Sequence, residues 1–274
     1  MSWPLPLPWP FEREYMQLAL ITALVIGSCT PLIGTVLVHK HLSLMADGLG
    51  HVAFAGVAAG LLLDIAPFWT AIVVSIAAAI VVEMLRMYGR SSGDLALALI
   101  FYSGIAGGVV LTGLADALNG STLTYLFGSI LTVSRGDAVT VAVVGVVLVG
   151  SMIVCWRAMF AVVLDEEAAR VAGLPVRGLN LFVAALTAVT VVAGMRIVGV
   201  LLVSALMVIP VGAAQRWTRS FRSTMLLGSA FGAGSAITGL VAARQWGLAP
   251  GGTIVLVAAA LFVVSTVATL RRNA

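Results

Sequence analysis

Nine apolar segments, each about 20 residues long, constrain the fold of this chain more than any other feature. A helix needs about 20 apolar residues to cross roughly 30 Å of hydrocarbon, because it rises 1.5 Å per residue. Only 9% of the residues are charged, whereas soluble domains have about 25%. The sequence therefore predicts an all-α, polytopic membrane helical bundle in one transmembrane domain over residues 1–274. The predicted spans are 16–38, 42–64, 67–85, 95–114, 138–156, 179–195, 197–214, 224–243 and 252–270.

The boundary between the sixth and seventh segments can be interpreted in two ways. We expect a hinge at Arg196 between two short spans. A single bent element is the alternative, and it would change the helix count.

Basic residues set the expected orientation of the bundle. With the amino terminus outside, 11 of the 15 Lys and Arg residues fall on the inner side, and the opposite orientation leaves four there. Cytoplasmic loops of membrane proteins are rich in Lys and Arg. We therefore expect the carboxyl terminus in the cytoplasm and residues 1–15 at the outer interface. Because the basic residues are scattered between apolar runs, no nucleic-acid partner is expected despite a pI near 9.6.

Asp47 and His51 are the polar residues that most need a reason. They lie four residues apart in LMADGLGHVAF, which places them on one face of a helix. An Asp near the bilayer centre costs about 2.5–3.5 kcal/mol on insertion scales. Carboxylate oxygen and imidazole nitrogen are both zinc ligands, and they also suit manganese or iron. We interpret the pair as a transient cation site, and an intrahelical ion pair is the alternative.

Other polar residues have plainer expected roles. Asp94 follows Ser-Ser-Gly at a helix start, so it is expected to cap that helix, with lining of the cytoplasmic mouth as the alternative. Glu83 and Arg86 are spaced for a surface ion pair, and His39 and His41 are expected to face lipid headgroups.

The two cysteines carry no predicted chemistry. Cys29 and Cys155 lie in apolar runs and form no CxxC motif, so we expect small packing residues rather than a metal or redox site.

The predicted cytoplasmic loop 157–178 contains a short helix of its own. Asp165, Glu166 and Glu167 suit a helix amino terminus, and Gly173 with Pro175 ends the helix. This segment is either a connector or a docking element for a soluble partner. The chain lacks the GxxxxGK motif followed by Ser or Thr, and it also lacks GxSxG and HExxH, so nucleotide-binding and hydrolase functions are poorly supported.

Three blocks of the sequence resemble the metal-ion permease family of ABC transporters, whose members import zinc, manganese or iron. The run Glu167-Ala168-Ala169 with Gly173 also resembles the EAA-type coupling loop of ABC importer permeases. The blocks are HLSLMADGLGHVAFAGVAAGLLL (41–63), TYLFGSILTVS (124–134), and 165–217, which includes DEEAARVAGLPVRGLNL and MRIVGVLLVSALMVIPVGAAQRW. We expect 125–133 to form an interfacial or re-entrant helix.

The resemblance implies a bacterial plasma-membrane permease that works as part of a larger assembly. It would pair with a second copy, bind two separate cytoplasmic ATPase subunits and receive its ion from an extracytoplasmic metal-binding protein. It would have no enzyme activity of its own and no permanently bound cofactor. The divalent metal ion would be its cargo.

The resemblance also implies roles for individual residues. Asp47 and His51 match the Asp and His that family members have in this helix. The coupling segment matches Asp165, Glu166, Glu167, Ala168 and Gly173.

The identity of the metal depends on finer features of the resemblance. Zinc-importing members often have a further histidine in the span at 95–114, where this chain has Tyr102-Ser103. The possible pathway residues are Ser103, which lies in this span, and Asp94, which would line the cytoplasmic mouth. The spacing before His51 is most similar to that of zinc-uptake permeases, so zinc is expected. The alternatives are a manganese or iron importer, or a secondary transporter or channel that works alone.

Overall fold

The computed structural model describes residues 11–88, 93–114, 128 and 133–273 and contains ten α-helices in these ranges. No strand occurs in these residues, so the all-α prediction is confirmed. The helices are α1 (Glu14–His39), α2 (Met45–Leu62), α3 (Pro67–Tyr88), α4 (Gly93–Leu114), α5 (Arg135–Leu164), α6 (Glu166–Val171), α7 (Val176–Val198), α8 (Val200–Gln215), α9 (Phe221–Trp246) and α10 (Pro250–Asn273).

Nine of these helices correspond to the nine predicted apolar segments. Eight are long and apolar enough to cross a membrane. The exception in the described part of the chain is α8, whose 16 residues span about 24 Å, less than a hydrocarbon core. It is a partial span that follows a break in the chain, a feature that transporters often place beside their binding sites.

The break before α8 is at Gly199, not at Arg196 as the sequence predicted. Gly199 has φ 94° and ψ 153°, a conformation that side chains strongly disfavour. The charge of Arg196 was the visible signal, but the backbone turns three residues later, where a glycine permits it. The segment therefore forms two helices separated by one residue.

Helices α1, α2, α7 and α8 supply most of the main core, whereas α3, α4, α5 and α10 expose broad apolar faces. Glycine allows several close helix contacts. A Cβ on Gly232 of α9 would lie 2.0 Å from the Gly27 carbonyl oxygen of α1, and one on Gly56 of α2 would lie 2.7 Å from Cα of Ala71 on α3. Cys29 and Cys155 are free thiols that pack against the main core, as predicted.

The predicted ion pair of Glu83 and Arg86 forms, but it is not a surface pair. Arg86 Nη1 lies 2.6 Å from Glu83 Oε2, and the Glu83 side chain is only 3% exposed. The predicted re-entrant segment 125–133 lies largely outside the described residues.

Candidate functional site

Asp47 and His51 lie in the first two turns of α2, at its amino-terminal end. Asp47 is in the first turn, where the helix dipole stabilises a negative charge. Both residues are half-buried, although most of α2 is fully buried. The predicted helical spacing is therefore correct, and both side chains keep partial access to the surface of the single chain.

Ser204 is the residue that sequence reasoning missed. Its hydroxyl donates a hydrogen bond of 3.0 Å to Asp47 Oδ1, and Ser204 is only 8% exposed. It lies on α8, five residues after the Gly199 break. This bond occupies one carboxylate oxygen and fixes the orientation of the other. The only available signal was a hydroxyl inside an apolar run, which is common in packed membrane helices.

His51 is bounded by α4. Its ring meets the edge of Phe101, with centroids 4.9 Å apart and planes at 79°. A Cβ on Gly104 would lie 2.8 Å from the Val52 backbone nitrogen, so glycine is what lets α4 approach α2 so closely. On the other side of α2, a Cβ on Gly50 would lie 3.1 Å from Val200 Cγ1 of α8. The Asp47–His51 face therefore lies between α4 and α8.

This arrangement offers two protein ligands from one chain, a carboxylate and an imidazole. In the described residues, no group of three or more His, Cys, Asp or Glu side chains is close enough to hold a metal ion. Two ligands bind a cation weakly unless water or a second chain completes the coordination sphere. Weak binding suits passage of an ion rather than its storage.

The two possible pathway residues both lie on α4. Asp94 is the second residue of α4. Ser103 is exposed and donates a 3.2 Å hydrogen bond to the Ile100 carbonyl of its own helix. In the single chain, the ring of Phe101 on α4 contacts His51.

His39 is half-buried and has partners within the protein. Its Nδ1 lies 2.7 Å from the Thr35 carbonyl oxygen, to which it donates, and its ring packs edge-on against Phe221. His41 is exposed and has φ 58°. Neither residue is brought together with the Asp47–His51 pair.

The predicted short helix of the 157–178 loop is α6, and its caps are those expected from the sequence. Asp165 is the N-cap, and its carboxylate accepts hydrogen bonds from the backbone N–H groups of Glu167 and Ala168 at 2.9 and 3.0 Å. Gly173 ends the segment with φ 83°, while the Leu174 N–H donates to the Ala169 carbonyl oxygen at 3.0 Å. The Gly173 N–H also donates to the Arg170 carbonyl oxygen at 3.0 Å. These two bonds at the end of the helix form a Schellman motif, in which Gly173 takes the left-handed position.

The two sides of α6 differ in character. Glu167 and Ala168 are exposed, and the apolar side chains of Leu164 and Val171 beside them are 74% and 89% exposed. Glu166 faces the bundle instead, and its Oε1 forms an ion pair of 2.5 Å with Lys40 Nζ. Burial alone raises the pKa of Glu166, but the hydrogen bond and charge of Lys40, with help from Asn180 and Arg86, hold it below its ordinary value. One side of α6 is thus held to the bundle by the Glu166–Lys40 ion pair, and the other side is exposed.

Comparisons with known proteins identify the relatives of this chain. A profile of the ABC 3 transport family matches residues 12–269. The chain is 28% identical to the high-affinity zinc uptake system membrane protein ZnuB of Haemophilus influenzae, over 92% of this chain and 97% of that protein. It is 30% identical to the manganese transport system membrane protein MntC of Listeria innocua, over 93% of this chain and 90% of that protein.

A solved structure shares the fold. The fold matches that of PsaBC from Streptococcus pneumoniae in complex with Fab, with a TM-score of 0.83 and 30% identity, over 93% of this chain and 91% of that one. The match spans nearly the whole bundle, so the arrangement of helices described above is also found in a solved structure.

Proposed function

The chain belongs to the ABC 3 transport family and is a multi-pass permease of a bacterial metal-ion ABC importer, and on this premise we propose that Asp47 and His51 bind its cargo in transit and that the cargo is zinc. One observation carries this proposal. The carboxylate and the imidazole lie one helical turn apart on a half-buried face, and a hydrogen bond from Ser204 holds the carboxylate in place.

The chemistry of the pair fits a divalent cation that must enter and leave. An ionised carboxylate and a neutral imidazole replace part of the hydration shell of the ion. Two ligands from one chain leave coordination positions open, so release needs little rearrangement.

Zinc is the favoured cargo, with manganese as the second candidate. A nitrogen ligand favours zinc over manganese in the general order of divalent-metal affinities. Manganese is kept because a relative named for manganese transport is as similar to this chain as the one named for zinc.

The rest of the transporter completes the proposal. A second copy of the chain supplies a second Asp47–His51 pair, so that four ligands face one axis or each chain holds its own site. Such pairing would also bring the exposed Ser103 of α4 towards the pathway, and we assign Asp94, at the start of the same helix, to its cytoplasmic mouth. An extracytoplasmic metal-binding protein delivers the ion.

The exposed face of α6 docks on a separate cytoplasmic ATPase subunit. This requires the orientation predicted from the basic residues, with residues 157–178 in the cytoplasm. The apolar side chains of Leu164 and Val171 and the neighbouring acidic residues supply the contact.

Metal uptake by the permease assembled with its ATPase tests the proposal. Asp47→Asn and His51→Gln keep side-chain size but remove a charge and a ligand, and each is expected to abolish uptake of radioactive zinc into proteoliposomes. The matched control is Asp64→Asn, which changes an exposed carboxylate just beyond the other end of α2. Wild-type uptake in both ligand variants would refute the proposed site. Parallel assays with manganese decide between the two cargoes.

A further inference from the structure

The single lysine of the chain is buried where three segments meet. Lys40 is the last residue before the turn between α1 and α2, and its side chain is only 7% exposed. Its Nζ lies 2.5 Å from Glu166 Oε1 of α6 and donates to Asn180 Oδ1 of α7, also at 2.5 Å. Asn180 Nδ2 donates to the same Glu166 oxygen at 3.3 Å. A buried ammonium group needs such partners, because its desolvation is costly. We call these three residues the clasp.

The first connection from the clasp leads to Asp47. After Lys40, the N–H groups of His41 and Leu42 donate to the Val38 and Leu37 carbonyl oxygens at 3.2 and 2.8 Å. This is a Schellman cap with His41, at φ 58°, in the left-handed position. Leu42 N–H lies five residues beyond its acceptor, and Leu42 is itself buried in the main core. The turn is therefore tightly defined, and α2 starts at Met45, two residues before Asp47.

The second connection leads to Ser204. Asn180 is in the second turn of α7 and is 7% exposed. From there α7 runs to the Gly199 break, after which α8 presents Ser204 to Asp47. One oxygen of Glu166 thus contacts both segments that lead to the Asp47 carboxylate.

We propose that the Lys40–Glu166–Asn180 clasp is the positioning element that transmits movement of α6 to the metal-binding carboxylate. A shift of α6 on the ATPase pulls on both Lys40 and Asn180. These residues begin the two segments that lead to the Ser204–Asp47 contact, so the shift changes the position of α2 relative to α8 and alters that contact. This inference rests on the proposed function, because it assigns α6 to the ATPase and Asp47 to the ion.

Transported metal per hydrolysed ATP tests the clasp in proteoliposomes containing the permease assembled with its ATPase. Lys40→Met keeps the aliphatic part of the side chain and removes the two contacts of Lys40 Nζ, one with Glu166 and one with Asn180. Because the outer face of α6 is unchanged, the ATPase is expected to assemble and to hydrolyse ATP. The ratio of transported metal to hydrolysed ATP is expected to fall about tenfold, a change that lies within the usual range for coupling between two sites. The control is Arg271→Met, which removes an exposed basic residue near the carboxyl terminus and leaves the ratio unchanged.

A double variant that exchanges the charges of Lys40 and Glu166 distinguishes loss of coupling from simple loss of folding. In the double variant with Lys40→Glu and Glu166→Lys, the Asn180 amide can flip, because it both donates and accepts. Because the Arg86 charge also acts on position 166, this variant is expected to recover only part of the ratio that Lys40→Met loses. A wild-type ratio in Lys40→Met, or a reversed pair that assembles and hydrolyses ATP but stays uncoupled, would overturn the clasp. Failure of the proposed function is distinguishable, since it would appear as wild-type metal uptake in Asp47→Asn and His51→Gln, whatever the metal-to-ATP ratio of Lys40→Met.

Discussion

Replacement of Ser204 by alanine isolates the hydrogen bond that joins α8 to the candidate ligand pair. The variant removes the hydroxyl that donates to Asp47 Oδ1 at 3.0 Å and leaves both metal ligands in place. A hydrogen bond to a charged group contributes about 1.5–3 kcal/mol. Because Asp47 is half-buried, water replaces part of the lost bond, and the lower value applies. A loss of about 1.5 kcal/mol corresponds to about tenfold weaker metal binding, in line with measured effects of groups that orient metal ligands.

The assay is metal-dependent uptake by the assembled transporter over a range of metal concentrations. We expect the half-saturating concentration to rise about tenfold, while the rate at saturating metal changes little, because the ligands themselves remain. Ser204→Thr retains a hydroxyl and should recover most of the affinity.

Ser28→Ala is the matched control for this experiment. Ser28 is also partly buried in a spanning helix, but its hydroxyl donates to the Leu24 carbonyl of its own helix at 2.6 Å. If Ser204→Ala had wild-type affinity, or if Ser28→Ala had the same effect as Ser204→Ala, the proposed orientation of Asp47 by Ser204 would be refuted.

Two further predictions concern the Gly199 break and the acid response of the clasp. Gly199→Ala places a side chain at φ 94° and ψ 153°, which costs about 1–3 kcal/mol, so the melting temperature of the purified protein should fall. The control Gly150→Ala should not lower the melting temperature, because a Cβ at Gly150 meets nothing within 4 Å. Equal melting temperatures for the two variants would contradict the strained turn. The pKa of Glu166 lies below its ordinary value of 4.5, so its contribution to stability is complete above that value and is lost as the pH falls through the lowered pKa. The difference in melting temperature between wild type and Glu166→Gln should therefore stay constant from pH 8 to about pH 5 and shrink only in stronger acid, and a decline that begins near neutral pH would contradict the assignment.

The sequence alone predicted much of the fold because its signals were local. Apolar runs of spanning length located the helices, and the caps of α6 followed from Asp165 and Gly173. The Asp47–His51 pair was visible because its spacing equals one helical turn. Family resemblance then correctly identified a metal-ion permease.

The remaining features depend on contacts between distant segments, which periodicity does not encode. Ser204 is 157 residues from Asp47, and Lys40 is 140 residues from Asn180. The hinge was expected at Arg196 because charge interrupts an apolar run more visibly than glycine does. The Glu83–Arg86 pair was expected at the surface because spacing along a helix does not reveal which face is covered.

X-ray absorption by metal bound to the purified, assembled transporter tests the central claim most directly. For zinc, the account predicts nitrogen and oxygen ligands at about 2.0–2.2 Å, including imidazole. The imidazole signal should disappear in His51→Gln and persist in Asp64→Asn. Spectra that are identical in wild type and His51→Gln would contradict the claim that this pair binds the transported ion.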